Sequence, residues 1–270
     1  MADQLEERYL IAELMPVPKQ AEEQVYYRIL KMAEASMLDK IGDVRREQAS
    51  YQEYIEQWIH EIKTPITAMQ LLCETNRSDF TRELLAELEK VSRYTEQTLY
   101  YARSGYAYKD YSIREIQLGP VIHSAVADNK YLLRQNQVAV TVDPDGDSVF
   151  TDDKWVRFIL NQLIGNAVKY KGAQPRLHFS VQKNGNSVLL SVHDNGIGIP
   201  ENDLPRIFEK GFTGQNGRRV QSATGIGLYL CKRLCGKLGI GLEVASDRFG
   251  TTVELAFRIN DFVDGVKSRY

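Results

Sequence analysis

The 270-residue sequence predicts an α plus α/β protein, in which an antiparallel helical hairpin forming a dimeric four-helix bundle is followed by a mixed α/β sandwich. Three observations carry that expectation. From Leu30 an apolar series recurs every seven residues (Leu30, Met37, Val44, Tyr51, Trp58, Pro65, Leu72), and a second series (Ile41, Gln48, Ile55, Ile62, Met69) runs four residues out of step with it. A 4-3 alternation held this long is a coiled-coil seam. Up to about residue 110 the chain is poor in glycine and proline and rich in Glu, Lys, Arg, Leu and Tyr, which favours helix. Past Asp110, short strand-like and helix-like pieces alternate.

The seam helix breaks at Glu74-Thr75-Asn76-Arg77-Ser78-Asp79, and a second stripe follows at Leu84, Leu88, Val91, Thr95, Leu99 and Ala102. Ser78 or Asp79 is placed to cap this second helix, with Glu83 in its first turn. Such a hairpin leaves too much apolar surface for a monomer, and two-fold pairing of hairpins into a four-helix bundle covers it, so a homodimer is expected. Ser104-Gly105-Tyr106 ends the helix. Beyond it the pattern gives a strand over 113–118, a helix over 120–133, strands over 138–142 and 149–151, and a helix over 153–170. Strands over 177–182 and 187–193 flank Lys183-Asn184-Gly185-Asn186, an Asn-Gly hairpin turn. A glycine-rich stretch, a helix ending at Leu238, and strands over 242–245 and 252–257 complete the sandwich. The expected boundaries are a helical linker over 1–35, a dimerising hairpin over 36–108 and the sandwich over 109–270.

Composition narrows the function classes. With 34 Lys plus Arg against 36 Asp plus Glu, the net charge of −2 supplies no general field for a polyanion, so nucleic acid is not an expected partner. Hydrophobic residues at 43% and charged residues at 26% exclude disordered and fibrous classes. Cys73, Cys231 and Cys235 are odd in number and lack zinc-ribbon spacing, which fits a reducing, cytoplasmic compartment. No run approaches the ~18 consecutive apolar residues of a membrane span.

The glycine-rich stretch reads Asp194-Asn195-Gly196-Ile197-Gly198-Ile199-Pro200, then Arg206-Ile207-Phe208-Glu209-Lys210-Gly211-Phe212-Thr213-Gly214, then Thr224-Gly225-Ile226-Gly227-Leu228. Glycines cluster where backbone passes close to a ligand and offers N–H groups to phosphate. Gly225 and Gly227 open an expected helix, whose N-terminus can receive an anion. Gly-Ile-Gly alone is a weak signal, and no Gly-Lys-Ser/Thr makes it a Walker loop. The segment Asn161-Gln162-Leu163-Ile164-Gly165-Asn166-Ala167-Val168-Lys169-Tyr170 strengthens it, because Asn166 and Lys169 stand one turn apart on a helix. That pair suits a magnesium-bound triphosphate, Asn166 toward the metal and Lys169 toward phosphate, although an exposed helix end is the plainer reading.

His60-Glu61-Ile62-Lys63-Thr64-Pro65 lies within the seam helix. His60 falls two residues off the seam position Trp58, on the flank facing water, and imidazole is the side chain that is both largely neutral and nucleophilic near pH 7. Glu61 can accept the other ring proton, and Thr64 lies one turn along the same face. Pro65 deprives the Glu61 carbonyl of its helical partner at about 3 kcal/mol, which suggests a hinge.

Together these segments resemble the cytoplasmic part of a bacterial two-component sensor histidine kinase. His60 to Pro65 resembles the phosphoacceptor box, Asn161 to Tyr170 the asparagine box, Asp194 to Pro200 and Thr224 to Leu228 the glycine boxes, and Arg206 to Phe212 the phenylalanine box, all in the family's order. The resemblance covers about residues 35 to 258. It implies a dimerisation and histidine-phosphotransfer hairpin followed by a gyrase-like ATP-binding sandwich. Position by position, it implies that His60 is the phosphoacceptor, Glu61 its acid/base partner and Thr64 a phosphatase residue. Asn166 would be the Mg2+ ligand, Lys169 and Tyr170 would line the ATP, and Asp194 would take the adenine amino group. Gly196, Gly198, Gly225 and Gly227 would shape the pocket and lid, with Thr213 and Leu228 beside the nucleotide.

Two departures stand out. Gln162 occupies a position where many relatives carry a second asparagine, and Thr213-Gly214 occupies one where many carry a lid arginine, for which Arg218 or Arg219 would substitute. Gln57 to Ile66 resembles in particular the intramembrane-sensing kinases of Gram-positive bacteria, which place two membrane helices ahead of this region and often work beside peptide-antibiotic ABC transporters. The implied partner is the receiver domain of a response regulator, and the implied location is the cytoplasmic face of the cell membrane, this chain being a soluble fragment. A kinase-inactive, nucleotide-gated scaffold is the alternative, against which an intact His60 and asparagine box argue. Cys231, Cys235 and Trp155 are read as core packing, and His123, His178 and His193 as structural.

Overall fold

The computed structural model describes residues 15–104, 112–143, 147–218 and 224–258. The chain divides at Pro65 into two compact units, residues 1–65 and 66–270.

The first unit is built on helix α1 (Ala21–Thr75), which runs past the division through the internal Pro65. Glu22 and Glu23 in its first turn lie where the helix dipole favours negative charge. The seam residues Val44, Tyr51 and Trp58 remain exposed in the single chain.

In the second unit, α1 ends at a turn in which Asn76 Nδ2 donates to the Leu72 carbonyl at 2.9 Å. Ser78 and Thr81 then exchange hydrogen bonds, Thr81 N donating to Ser78 Oγ (3.1 Å) and Ser78 N to Thr81 Oγ1 (2.8 Å), a reciprocal cap for helix α2 (Asp79–Ser104). Ser78, rather than Asp79, is therefore the capping residue. Leu88, Thr95 and Leu99 form the buried stripe of α2.

The sandwich begins with β1 (Arg114–Gln117), one residue shorter at its end than expected because Leu118 already opens helix α3 (Leu118–Asp128). The helix expected over 120–133 is broken. Asn129 leaves helical geometry between α3 and α4 (Lys130–Gln135), and its buried amide donates to the Ala125 carbonyl (2.9 Å) and to Asn161 Oδ1 (2.8 Å). Strand β2 (Ala139–Val142), strand β3 (Ser148–Thr151) and helix α5 (Asp153–Lys169) follow, then β4 (Arg176–Asn184) and β5 (Ser187–Asp194), joined by a turn at Gly185 with φ +56°. Beyond a short 3-10 turn (Leu204–Arg206) come α6 (Gly214–Arg218), α7 (Gly227–Leu238), β6 (Gly241–Asp247) and β7 (Gly250–Arg258).

The main sheet has the order β2-β4-β5-β7-β6, antiparallel except for β2 against β4, and β1 pairs with β3 separately. Alternate residues of β5 (Val188, Leu190, Val192) and β7 (Val253, Leu255, Phe257) are buried, so one sheet face meets the helices. The same core takes Ile122 from α3, Trp155, Phe158 and Ile164 from α5, and Leu230 and Leu234 from α7. Cys231 and Cys235 belong to it, and burial pushes both thiols up, Cys235 to about 12. His178 and His193 are held by threonine hydroxyls, Thr141 at 2.8 Å and Thr252 at 2.9 Å.

Candidate nucleotide site and phosphoacceptor helix

Helix α5 is placed by its cap and its core face. Asp152 accepts from Lys154 N at 3.0 Å and Trp155 N at 3.4 Å, and Trp155, Phe158 and Ile159 are buried. Its other face brings Gln162, Asn166 and Lys169, successive turns of one stripe, to a cleft of about 1140 Å³. Tyr170, Asp194, Gly198, Thr213, Gly225, Gly227 and Leu228 line the same cleft. Asn166 and Lys169 are half-buried, and desolvation lowers the Lys169 ammonium and raises the Tyr170 phenol from their ordinary values. A lysine strained by burial in this way gains when a phosphate arrives. Its Nζ stands 5.3 Å from the centre of the Tyr170 ring.

Asp194 ends β5 with its carboxylate in the cleft. Burial raises its pKa from the ordinary value, opposed by hydrogen bonds from the Gly196 and Thr251 backbones and by His193. Gly196 itself does not line the cleft. A Cβ there would meet the Tyr170 carbonyl oxygen at 2.4 Å, so its lack of a side chain lets the loop cross behind Tyr170, and Ile197 N donates to that same oxygen at 3.0 Å. Gly198 has φ +67° and no room for a side chain, since a Cβ would fall 1.7 Å from the Asp247 carbonyl oxygen.

The second glycine segment is tied to the phenylalanine segment by Gly211 N donating to the Gly225 carbonyl at 3.0 Å. Arg206 forms an ion pair with Glu209 at 2.9 Å and lies over the Phe212 ring at 4.5 Å. Asn216 donates to the Gly198 carbonyl at 2.9 Å, joining the two loops. The Arg218 side chain and all of Arg219 lie outside what the structure describes.

Sequence reasoning missed the contribution of α2. Gln97 and Arg93 line the cleft, and Gln97 Nε2 donates to Gln162 Oε1 at 2.6 Å. The only local signal was that these two residues lie off the apolar stripe of α2.

His60, Glu61 and Thr64 are exposed on α1 in the first unit. The Thr64 hydroxyl donates to the His60 carbonyl at 3.2 Å, and Gln57 Nε2 donates to Glu61 Oε1 at 3.1 Å. Among the described residues no helix is long and apolar enough to cross a membrane, and no group of three or more His, Cys, Asp or Glu side chains is arranged to hold a metal ion.

Residues 151–261 match the family described as histidine kinase-, DNA gyrase B- and HSP90-like ATPases. Sensor protein BceS of Halalkalibacterium halodurans is 34% identical over 243 residues, 86% of this chain and 72% of BceS. The chain belongs to the sensor histidine kinases, in the intramembrane-sensing group. Sensor histidine kinase YxdK of Bacillus subtilis is 32% identical to this sensor-kinase chain over 207 residues, 76% of this chain and 64% of YxdK. The chain thus spans a little under two thirds of YxdK's length. The Acinetobacter baumannii histidine kinase AdeS shares the fold, with a TM-score of 0.53 at 19% identity over 75% of this chain and 98% of that one.

Proposed function

We propose that the chain is an ATP-dependent protein-histidine kinase that phosphorylates its own His60 and passes the phosphoryl group to an aspartate on the receiver domain of a response regulator, whose aspartyl phosphate it also hydrolyses. The observation that carries this reading is the meeting, in one cleft, of Asn166, Lys169 and Asp194 with the glycines that open α7. On this reading residues 36–108 dimerise and hold the phosphoacceptor, residues 109–270 bind ATP, and residues 1–35 are an N-terminal helical linker segment. The working location is the cytoplasmic face of the membrane, beside a peptide-antibiotic transporter.

The donor set fits Mg2+. With no carboxylate cluster among the described residues, the ion is left to phosphate oxygens, water and the Asn166 amide oxygen, the hard ligands it prefers. Bound there, it would neutralise charge on the phosphates. The chain's own groups do the rest. Asp194 accepts from the adenine amino group, Lys169 and the N-terminus of α7 hold phosphate, Gly196 lets the loop pass close to Tyr170 and Asp194, and Gly198 lets it pass against Asp247. A ring nitrogen of His60 attacks the γ-phosphorus, the bond from phosphorus to the β–γ bridging oxygen breaks, ADP leaves, and Glu61 takes the proton from the other ring nitrogen.

The test is incubation of the chain with γ-labelled ATP. Label that is lost in acid and retained in alkali is phosphohistidine and supports the reading, whereas acid-stable label or none overturns it.

A further inference from the structure

Helix α2 lies along α5 in antiparallel register. The Tyr100 ring stacks on Phe158 at 3.8 Å and meets Trp155 edge-on at 5.1 Å, and its hydroxyl donates to the Lys154 carbonyl at 3.3 Å. About one turn back along α2, Gln97 bonds to Gln162, one turn forward along α5, at 2.6 Å. Arg93 and Asn166 each lie one further turn along the same antiparallel direction, and both line the cleft. The amide pair also marks which end of the cleft this is. A Cβ on Gly227 would come within 3.0 Å of Gln162 Oε1 and 3.7 Å of Gln97 Nε2, so α2 passes the N-terminus of α7, where the phosphates are assigned.

Arg93 is the one arginine among the described residues that line this cleft. Of the other cations lining the cleft, Lys169 is already assigned to phosphate, while Lys171 bonds to Asn136 Oδ1 at 2.9 Å and Lys90 to Glu87 at 2.5 Å. Arg93 is held only loosely by Glu89, at 3.8 Å, beyond hydrogen-bond reach, and its side chain keeps 34% of its surface exposed. Burial raises the Glu89 carboxyl from its ordinary value, and the Arg93 charge opposes that rise. A planar guanidinium with two parallel N–H groups matches two oxygens of a terminal phosphate.

We propose that Arg93 is a nucleotide-binding residue, which reaches from α2 to the terminal phosphate of a nucleoside triphosphate and lets the site distinguish triphosphate from diphosphate. The proposal rests on the nucleotide reading above and adds to it a residue from the helix that precedes the sandwich.

The experiment is calorimetric titration of the full chain and of its Arg93→Ala and Arg93→Lys variants with Mg-ATP and Mg-ADP at fixed ionic strength. Arg93→Ala should weaken ATP binding on the order of ten-fold or more while changing ADP binding by less than about two-fold, and Arg93→Lys should recover part of the loss. Unchanged ADP affinity also certifies that the variant is folded. Equal losses for ATP and ADP, or no loss, in a parent that binds both nucleotides would overturn the assignment of Arg93 alone. A parent that binds neither nucleotide would overturn the nucleotide reading itself.

Discussion

The backbone N–H of Gly196 donates to Asp194 Oδ1 at 2.9 Å, closing a turn that aims the carboxylate into the cleft. One oxygen is thereby fixed, and an amino group of a purine is a natural donor for the other. A carboxylate there repels the keto oxygen that guanine presents at the same place. The parent chain should therefore prefer ATP to GTP, and Asp194→Ala should lose ~1–3 kcal/mol, roughly ten- to a hundred-fold in ATP affinity. Equal affinities for ATP and GTP in the parent would contradict the role.

The raised pKa of Asp194 gives this site a pH signature. Because the folded-state value lies above the unfolded one, the folded chain takes up this proton first, so without nucleotide the contribution of Asp194 to stability rises as pH falls from neutrality through the raised pKa toward the ordinary aspartate value. ATP affinity runs the opposite way over that window, since protonation removes the charged acceptor. Thermal midpoints measured with and without ATP should converge on acidification in the parent, and this convergence should be much weaker in Asp194→Asn.

Gly225 and Gly211 separate strain from collision. Both have positive φ, +64° and +79°, but a Cβ at Gly225 would fall 2.4 Å from the Gly211 carbonyl carbon and 2.6 Å from the Phe212 oxygen, whereas nothing lies within 4 Å of one at Gly211. Gly211→Ala should cost about 1 kcal/mol from backbone strain alone. Gly225→Ala must also push the phenylalanine segment away, and it should abolish measurable ATP binding while the thermal midpoint of the chain falls only modestly. Similar ATP affinities for the two variants would show that the contact between the loops is not needed.

The parts of this fold that were legible in sequence are those set by local periodicity or by a turn's own chemistry. The Leu88, Thr95 and Leu99 part of the α2 stripe with its Ser78 cap, the Asn184-Gly185 hairpin, and the face of α5 carrying Asn166 and Lys169 lie where the pattern put them, whereas Leu84 and Val91 of that stripe stay exposed in the single chain. What escaped was decided by pairing across distance. The break at Asn129 exists because its amide reaches Asn161 on α5, and nothing near residue 129 announces that partner. Gln97 and Gln162 are 65 residues apart, so the α2 wall of the cleft was invisible to any window on the chain. Gly198 was recognised as a ligand glycine, yet what forbids a side chain there is the Asp247 carbonyl on the far strand β6.

His60 is exposed on α1 and remote in sequence from every residue of the cleft, so its replacement should leave nucleotide binding intact. His60→Gln should bind ATP with the parent's affinity and take up no label. Undiminished label on that variant would place the phosphoacceptor elsewhere.

Thr64 and Glu61 divide the two activities proposed for α1. The Thr64 proton is committed to the His60 carbonyl at 3.2 Å, which leaves the hydroxyl oxygen as an acceptor able to orient a water for in-line attack on an aspartyl phosphate docked on this face. Thr64→Ala removes that acceptor and keeps the helix, since alanine has the higher propensity. Autophosphorylation should then stay within about three-fold of the parent, while dephosphorylation of the regulator falls by roughly ten-fold or more. Glu61 is held by Gln57 through Oε1, and its second oxygen is left to orient the imidazole and accept its proton. Glu61→Ala should therefore slow transfer to His60 by about a hundred-fold, the scale of general-base assistance, and Glu61→Gln, which keeps the shape but not the base, should be nearly as slow. Both rates measured on these variants with the cognate regulator decide the matter: a Thr64→Ala chain that dephosphorylates its partner at the parent's rate, or a Glu61→Gln chain that autophosphorylates at it, would remove that residue from the mechanism.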